Sequence, residues 1–524
     1  MNCEDNAIPA SWSWVDIGSL GVFLGGGTPA KSVKEYWNSA DIPWVSPKDM
    51  KQNDIHSAEM SVSKKALDKT SLSRIPKGSL IMVTRSGILS RTFPVAINHC
   101  DVVINQDLKA LVPFSGINVK FLMLMCRCFT HQILSDCSKQ GTTVASINTS
   151  SLQGFKVPLA PTSVQRRIVA KIEALFSEID HGVEELKAAQ KKLKRARQAL
   201  LKAAFEGKLT ARWRAENPDK LESPEALRQR IQAEREAYQR RQLEEWEKAV
   251  EEWRASGSEG RKPRKPKTLK VTNEAQVEYA DGLPETWLCA VLGNLYVEAS
   301  LGKMLDKEKN KGELRPYLRN VNVRWGEVVL DDVKKMRFED DEKDRYSVVP
   351  GDLVICEGGE PGRCAVWKEE FGDSFMIQKA LHRVRFGGSV SPTYVMHYLK
   401  LCTDAGRISH LYTGTTIKHL TGKALENVPI PLCGVFEQEK VVEIIESRLS
   451  EIDQLEGVLQ ASRQRAESLK QSILKQAFSG RLVPQDLDDE PASELLARIH
   501  AEREVQQQAA PRRRRRKPAE EATP

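Results

Sequence analysis

The spacing of apolar positions changes character twice along the chain, just after Pro161 and just after Cys433. Ahead of each point, apolar residues come in short β-rich runs such as GSLIMVTRSG (78–87) and GDLVICEGGEPG (351–362), broken by glycine and proline. Behind each point they return every three or four residues. Ile168, Ile172, Leu175, Ile179, Leu186, Leu193 and Leu200 do so in the first stretch, and Val441, Ile445, Ile452, Leu455, Leu459, Ala466, Leu469 and Ile473 in the second. The short runs predict strands, so 8–160 and 283–432 read as α/β or α+β modules. The three-four spacing predicts long helices with a heptad seam. A helix over 163–205 would be ~60 Å long at about 1.5 Å per residue, and alone it would expose its stripe. Two matching stripes predict that the helices pack on each other. An antiparallel coiled-coil pair would place one module at each end, and the pattern alone leaves a parallel pair open.

The two halves are also alike in detail. KAAFEGKLT (202–210) returns as KQAFSGRLV (475–483), 273 residues further on. The same offset carries Pro43-Trp44-Val45 onto Pro316-Tyr317-Leu318, Pro158 onto Pro431, and Ile179-Asp180 onto Ile452-Asp453. Upstream, LPETWLCAVLGNL (283–295) echoes IPASWSWVDIGSL (8–20), and PASELLARIHAERE (491–504) echoes SPEALRQRIQAERE (223–236). The chain therefore reads as a tandem duplication with pseudo-twofold symmetry, each copy a module, a long helix and a charged tail. Gly207 and Gly480, two residues beyond Phe205 and Phe478, are placed to cap the two helices. Six segments follow: a module over 1–160, a helical spacer over 161–215, a charged helix and basic linker over 216–282, a module over 283–432, a spacer over 433–482 and a charged tail over 483–524.

Composition narrows the class. The 524 residues are 40% hydrophobic and 29% charged, enough for several folding units. No stretch approaches the ~18–20 uninterrupted apolar residues of a membrane span, and the first residues lack an apolar signal core, which predicts a soluble cytoplasmic chain without a membrane partner. Ten cysteines are scattered without a Cys-x-x-Cys pair, as expected of reduced thiols; Cys126-x-Cys128 near His131 lies in an apolar helical run and reads as core. The net charge is +8, with cations gathered in RKPRKPK (261–267) and RRRRRK (512–517), which suits a polyanionic partner. The helix near 224–254 reads as a solvated arm. LGGGTPAKS (24–32) fails the spacing of a phosphate-binding loop and reads as a flexible turn, and GGEPGR (358–363) opens no dinucleotide-binding helix. No constellation of catalytic or metal-ligating residues emerges.

Two diverged modules, each followed by a near-identical helix ending in Ala-Phe-x-Gly-basic-Leu, resemble the specificity subunit of type I restriction–modification enzymes. The resemblance is carried by GTTVASINTSSLQGFKVPLAPTSVQRRIVAKIEALFSEID (141–180), GTTIKHLTGKALENVPIPLCGVFEQEKVVEIIESRLSEID (414–453) and GDLVICEGGEPGRCAVW (351–367), and it covers about 8–215 and 283–482. It implies that the modules are target-recognition domains, each reading one half of a split, asymmetric site in double-stranded DNA. The helices would act as a ruler and dock two modification subunits, which bind S-adenosylmethionine and methylate adenine. Two restriction subunits would add translocation and cleavage with ATP and Mg. No cofactor is expected in this chain, which would be a non-catalytic subunit. The competing expectation is a non-enzymatic coiled-coil scaffold with two protein-binding modules.

Base readout needs side chains with hydrogen-bonding ends on loops, and phosphate contacts need cations and hydroxyls. In the first module the candidates are Arg85, Ser86 and Arg91 after the 78–87 run, then Ser46 and Lys48, then Lys139, Gln140, Thr142 and Thr143. In the second they are Arg319, Asn320, Glu357, Glu360, Arg363, Thr415, Thr416 and Lys418, with Lys379, His382 and Arg383 of QKALHRVRF. Shared Gly-Thr-Thr loops point to a common backbone role. Differences such as Arg85 against Glu357 are where unlike half-site preferences would arise.

Overall fold

A computed structural model describes residues 8–139, 144–258, 262–273, 282–306, 310–372, 374–486 and 488–509. The chain divides into two compact units, one made of 1–187 and 460–524, the other of 188–459. Each unit holds one module and parts of both long helices, the first arm (Thr162–Phe205) and the second arm (Val435–Phe478).

In the first unit a five-stranded sheet runs in the order Gly21–Gly25, Leu108–Pro113, Leu80–Val83, Val95–Asn98, Asp54–Ile55. A three-stranded sheet pairs Ile42–Val45 with Met60–Val62 on one side and, in parallel, with Val103–Ile104 on the other. Short continuous apolar runs make the central strands, and Leu80, Ile81, Met82 and Val83 are all fully buried because both faces of the strand are covered. The stretch at 24–32 leaves the end of the strand Gly21–Gly25 as irregular chain, and a Cβ on Gly26 would run into the backbone of Ile104 and Asn105, so glycine is required by close approach. Cys126 and Cys137 lie in the core, and burial pushes the Cys126 thiol up to about 12, which suits packing and not thiolate chemistry.

The second unit repeats the plan with a four-stranded sheet (Tyr296–Leu301, Leu381–Phe386, Leu353–Cys356, Cys364–Val366) and a three-stranded one (Lys334–Phe338, Glu313–Leu318, Met376–Ile377). In both units a short antiparallel pair ties the start of the module to its last strand: Ser13–Asp16 with Lys156–Leu159, and Leu288–Val291 with Pro429–Leu432.

A fully buried glutamine locks each module to the arm that follows it. Gln165 accepts from Asn118 N (2.9 Å) and donates to Ala160 O (2.8 Å). Gln438, its counterpart, accepts from Ser391 N (2.8 Å) and donates to Cys433 O (2.8 Å) and Ser389 O (2.9 Å).

Within each unit the arms run antiparallel. In the first, Lys470 of the second arm bonds Asp180 of the first (2.5 Å); in the second, Arg197 of the first arm pairs with Asp453 and, at 3.2 Å, with Glu456 of the second. Lys470 and Arg197 are counterparts in the duplication, as are Asp180 and Asp453. The repeated Phe-x-Gly phrase ends each arm on the other copy's module. The ring of Phe478 lies 5.1 Å from Phe121, and the ring of Phe205 lies 5.0 Å from Tyr394, which occupies the position of Phe121 in the second copy. Gly207 and Gly480 have φ of 69° and 73°. Each closes its helix with paired bonds, Gly207 N to Ala204 O and Lys208 N to Ala203 O in the first arm, Gly480 N to Ala477 O and Arg481 N to Gln476 O in the second. A Cβ on Gly480 would strike Pro9, and one on Gly207 would strike Pro284.

Two expectations need correction. Leu455 and Leu469 do not lie in the seam; both are half exposed on the outer face of the second arm, and Leu449 and Glu456 face inward nearby instead. Nor is the helix Pro224–Ala255 a solvated arm. Leu227, Ile231, Arg235 and Val250 are buried, and Arg235 donates to Gly293 O (2.9 Å) and Tyr296 O (2.7 Å) of the second module. No helix among the described residues is long and apolar enough to cross a membrane.

Candidate nucleic-acid interface

Three loops meet at one edge of each module, and backbone bonds set them in matching positions. The strand Ile42–Val45 runs into a turn at 46–49, where Asp49 Oδ2 accepts from Ser46 N (2.8 Å) and Ser46 Oγ (2.9 Å). In the second module the strand Glu313–Leu318 runs into the same turn at 319–322, with Asn322 Oδ1 accepting from Arg319 N (3.0 Å). The second loop leaves the central strand of each large sheet: Thr84 N donates to Asp107 O (2.8 Å), Glu357 N to Ala380 O (2.9 Å). The third returns beside it, with Ile147 N donating to Thr84 O (2.8 Å) and Leu420 N to Glu357 O (2.7 Å). These bonds fix the correspondence: Thr84 matches Glu357, and Arg85 matches Gly358, not Glu357 as the local alignment suggested. The second and third loops are thus held by main chain and the first by one side chain of its own turn, leaving the other side chains free to diverge.

In the first module Lys48, Arg85, Arg91 and Lys139 are exposed, and Ser86 caps the short helical turn Gly87–Ser90. Gln140, Thr142 and Thr143 lie outside the described residues. In the second module Thr415, Thr416 and Lys418 are exposed on a loop closed by Thr413 N to His419 O (2.9 Å) and His419 N to Thr413 O (2.8 Å). Lys379 is exposed on the neighbouring connection, and Glu357 is half buried.

Other expected readers turn inward. Arg383 is fully buried; it pairs with Glu298 and donates to Asp344 O (3.0 Å) and Ser347 O (2.6 Å). His382 is 4% exposed, its Nε2 lies 2.9 Å from Leu420 O, and burial pulls its pKa down. The cause is strand alternation: both lie in Leu381–Phe386, whose neighbours cover both faces. Neither is available to DNA.

Arg319, Asn320, Glu360 and Arg363 form a bracket between loops. Arg319 Nη2 donates to Asp332 O (2.8 Å) and Oδ2 (2.7 Å), and the guanidinium holds the Asp332 carboxyl below the usual range. Arg363 donates to Asn320 O (2.9 Å) and Glu360 Oε2 (3.0 Å), Trp325 Nε1 donates to Glu360 Oε1 (2.7 Å), and Asn320 Nδ2 to Gly358 O (2.9 Å). The bracket orients the turn against the second loop. Two apolar side chains on this edge escaped the sequence reading, which sought polar readers: Val321 is 61% exposed at the position of Lys48, and Ile417 is 62% exposed beside Thr416. Each unit thus presents a like-built loop edge with unlike side chains.

Comparison with known proteins agrees. A family profile described as "Type I restriction modification DNA specificity domain" matches residues 9–188. The specificity subunit of the type I restriction enzyme EcoR124I/EcoR124II of Escherichia coli is 36% identical over 182 residues, 34% of this chain and 45% of that protein. The MjaIX specificity subunit of Methanocaldococcus jannaschii is 29% identical over 202 residues, 38% of this chain and 44% of that protein. The EcoKI specificity subunit of Escherichia coli K12 is 22% identical over 378 residues, 69% of this chain and 67% of that protein. The chain thus matches less than half the length of the first two relatives. Among solved structures, a chain from work on complex assembly and conformational transition of the type I R-M system shares the fold, with a TM-score of 0.63, 17% identity, and coverage of 91% of this chain and 100% of that one. Residues 9–188 thus match the type I restriction modification DNA specificity domain, and the chain is similar to type I specificity subunits.

Proposed function

We propose that this chain is the DNA-reading, non-catalytic subunit of a type I restriction–modification complex, with each module reading one half of a bipartite asymmetric site. The observation that carries this reading is the pairing of a common loop framework with divergent side chains. Ser46, Lys48 and Arg85 stand where the second module has Arg319, Val321 and Gly358. Two surfaces of the same build and different chemistry suit two different short sequences. The exposed cations at 48, 85, 91 and 139 give phosphate attraction in the first module, and Lys379 and Lys418 do so in the second. Methylation and cleavage then belong to partners: modification subunits carrying S-adenosylmethionine, and restriction subunits using ATP and Mg, docked along the arms.

The test is to co-express the chain with its modification subunit and map methyladenine across a plasmid by long-read sequencing. The expected result is one split, asymmetric motif, whose half assigned to the first module changes in Arg85→Ala while the other half does not. Methylation that ignores this chain, or DNA binding that does not respond to salt, would point instead to a protein-binding scaffold.

A further inference from the structure

The segment 262–273, outside the duplicated framework, runs back along the helix Pro224–Ala255 and is pinned to it. Trp246 Nε1 donates to Pro263 O (3.1 Å), Leu269 N to Gln239 Oε1 (3.3 Å), and Arg235 Nη2 to Lys270 O (3.2 Å). Beyond these, Thr272 N donates to Asn294 Oδ1 (2.8 Å), and Asn294 Nδ2 returns a bond to Thr272 O (3.0 Å). Burial alternates with a period of three: Pro263, Pro266 and Leu269 are half covered, while Lys262, Arg264, Lys265, Lys267 and Lys270 are exposed. Three residues per turn is the repeat of a polyproline II strand, which makes no internal hydrogen bonds and whose proline-set backbone loses little freedom on binding. Its inner stripe rests on the helix. Its two outer stripes carry cations and Thr268, with Val271 and Asn273 exposed at the far end.

Lys265 sits 5.4 Å over the Trp246 ring. Among the described residues no ion pair forms at Lys262, Arg264, Lys267 or Lys270. From Lys262 to Lys270 this strap is about 25 Å long at ~3.1 Å per residue, comparable to roughly seven base pairs of duplex at ~3.4 Å each. We propose that it is a sequence-independent phosphate-binding rail for duplex DNA, separate from the base-reading loops. The proposal rests on the reading that this chain binds DNA. An acidic protein partner is the poorer fit, because protein interfaces are built around clusters of apolar and aromatic anchors and the outer stripes offer only Val271.

The experiment compares the full chain with a variant carrying Lys262→Gln, Arg264→Gln, Lys267→Gln and Lys270→Gln. Lys265 is left in place because it packs on Trp246. Binding to a random-sequence 30-bp duplex and to a duplex carrying the mapped methylation motif is measured from low to moderate salt. The rail predicts weaker binding to both duplexes by the same factor, a log–log salt slope shallower by about 2–4, and an unchanged methylation motif. An unchanged slope, in a protein that still binds and methylates its motif, overturns the rail and leaves the recognition reading standing. Loss confined to the motif duplex overturns sequence independence. If the unaltered chain binds neither duplex, the recognition reading itself falls and the rail with it. As a second variant, Trp246→Phe removes the indole donor but keeps every cation. It should weaken binding to both duplexes less than the fourfold variant and retain its salt slope; a loss as large, with the same drop in slope, overturns the role of the charges.

Discussion

Single buried side chains decide how firmly the modules meet the arms. Gln438 makes three bonds to main-chain groups in a site closed to water. Gln438→Leu keeps most of the volume and strands one N–H and two carbonyls, each costing about 1–3 kcal/mol when left unmet. The expected loss is ~3 kcal/mol, read as a lower midpoint in urea unfolding of the second unit. Asp489 behaves differently because it titrates. Arg167 and Ser163 bond its carboxylate, which holds its pKa below the ordinary aspartate range. A lowered pKa adds stability above the unfolded value of about 3.9 and withdraws it as pH falls through the lowered one. The stability gap between the unaltered protein and Asp489→Asn should therefore be constant near neutrality and close only below about pH 4.

Among the elements, the arms set seam against outer face. Ile445 and Ile473 are buried, so Ile445→Ala or Ile473→Ala should cost about 2–5 kcal/mol in urea unfolding. Leu455→Ser and Leu469→Ser, on the outer face, should stay within about 0.5 kcal/mol. The three-four spacing announced both helices to within a residue of their start, yet placed Leu455 and Leu469 in the seam. Apolarity every seventh residue does not say which side of a helix a partner covers, and here Leu449 and Glu456 share that side. The outer faces of the arms are also unlike: Leu455, Val458 and Leu469 correspond to Gly182, Glu185 and Ala196. Charge misled in the same way at Pro224–Ala255. Its many Glu and Arg residues suggested a solvated arm, but Arg235 buries its guanidinium by bonding three carbonyls, which no local pattern encodes.

For the whole molecule, the duplication was the most legible feature, because a fixed offset tests itself at many residues. It matched the Phe-x-Gly phrases, which do end both arms. The readers were less legible. Arg383 and Lys379 look alike in a string of letters, but Arg383 lies in a strand covered on both faces and Lys379 on the turn before it. The contact of each arm's end with the opposite copy was also invisible, since it joins residues hundreds apart. That contact bears on the order in which the two units are completed on the ribosome. The second unit is one continuous stretch, 188–459, and can close as soon as it emerges. The first begins earlier but has Ile473, Leu474, Phe478 and Leu495 in its core, so it must wait until those residues are made. At roughly 5–20 residues per second, the module made first spends about 15–60 seconds with Phe121 and its neighbours unsealed, and the module made second is completed before it.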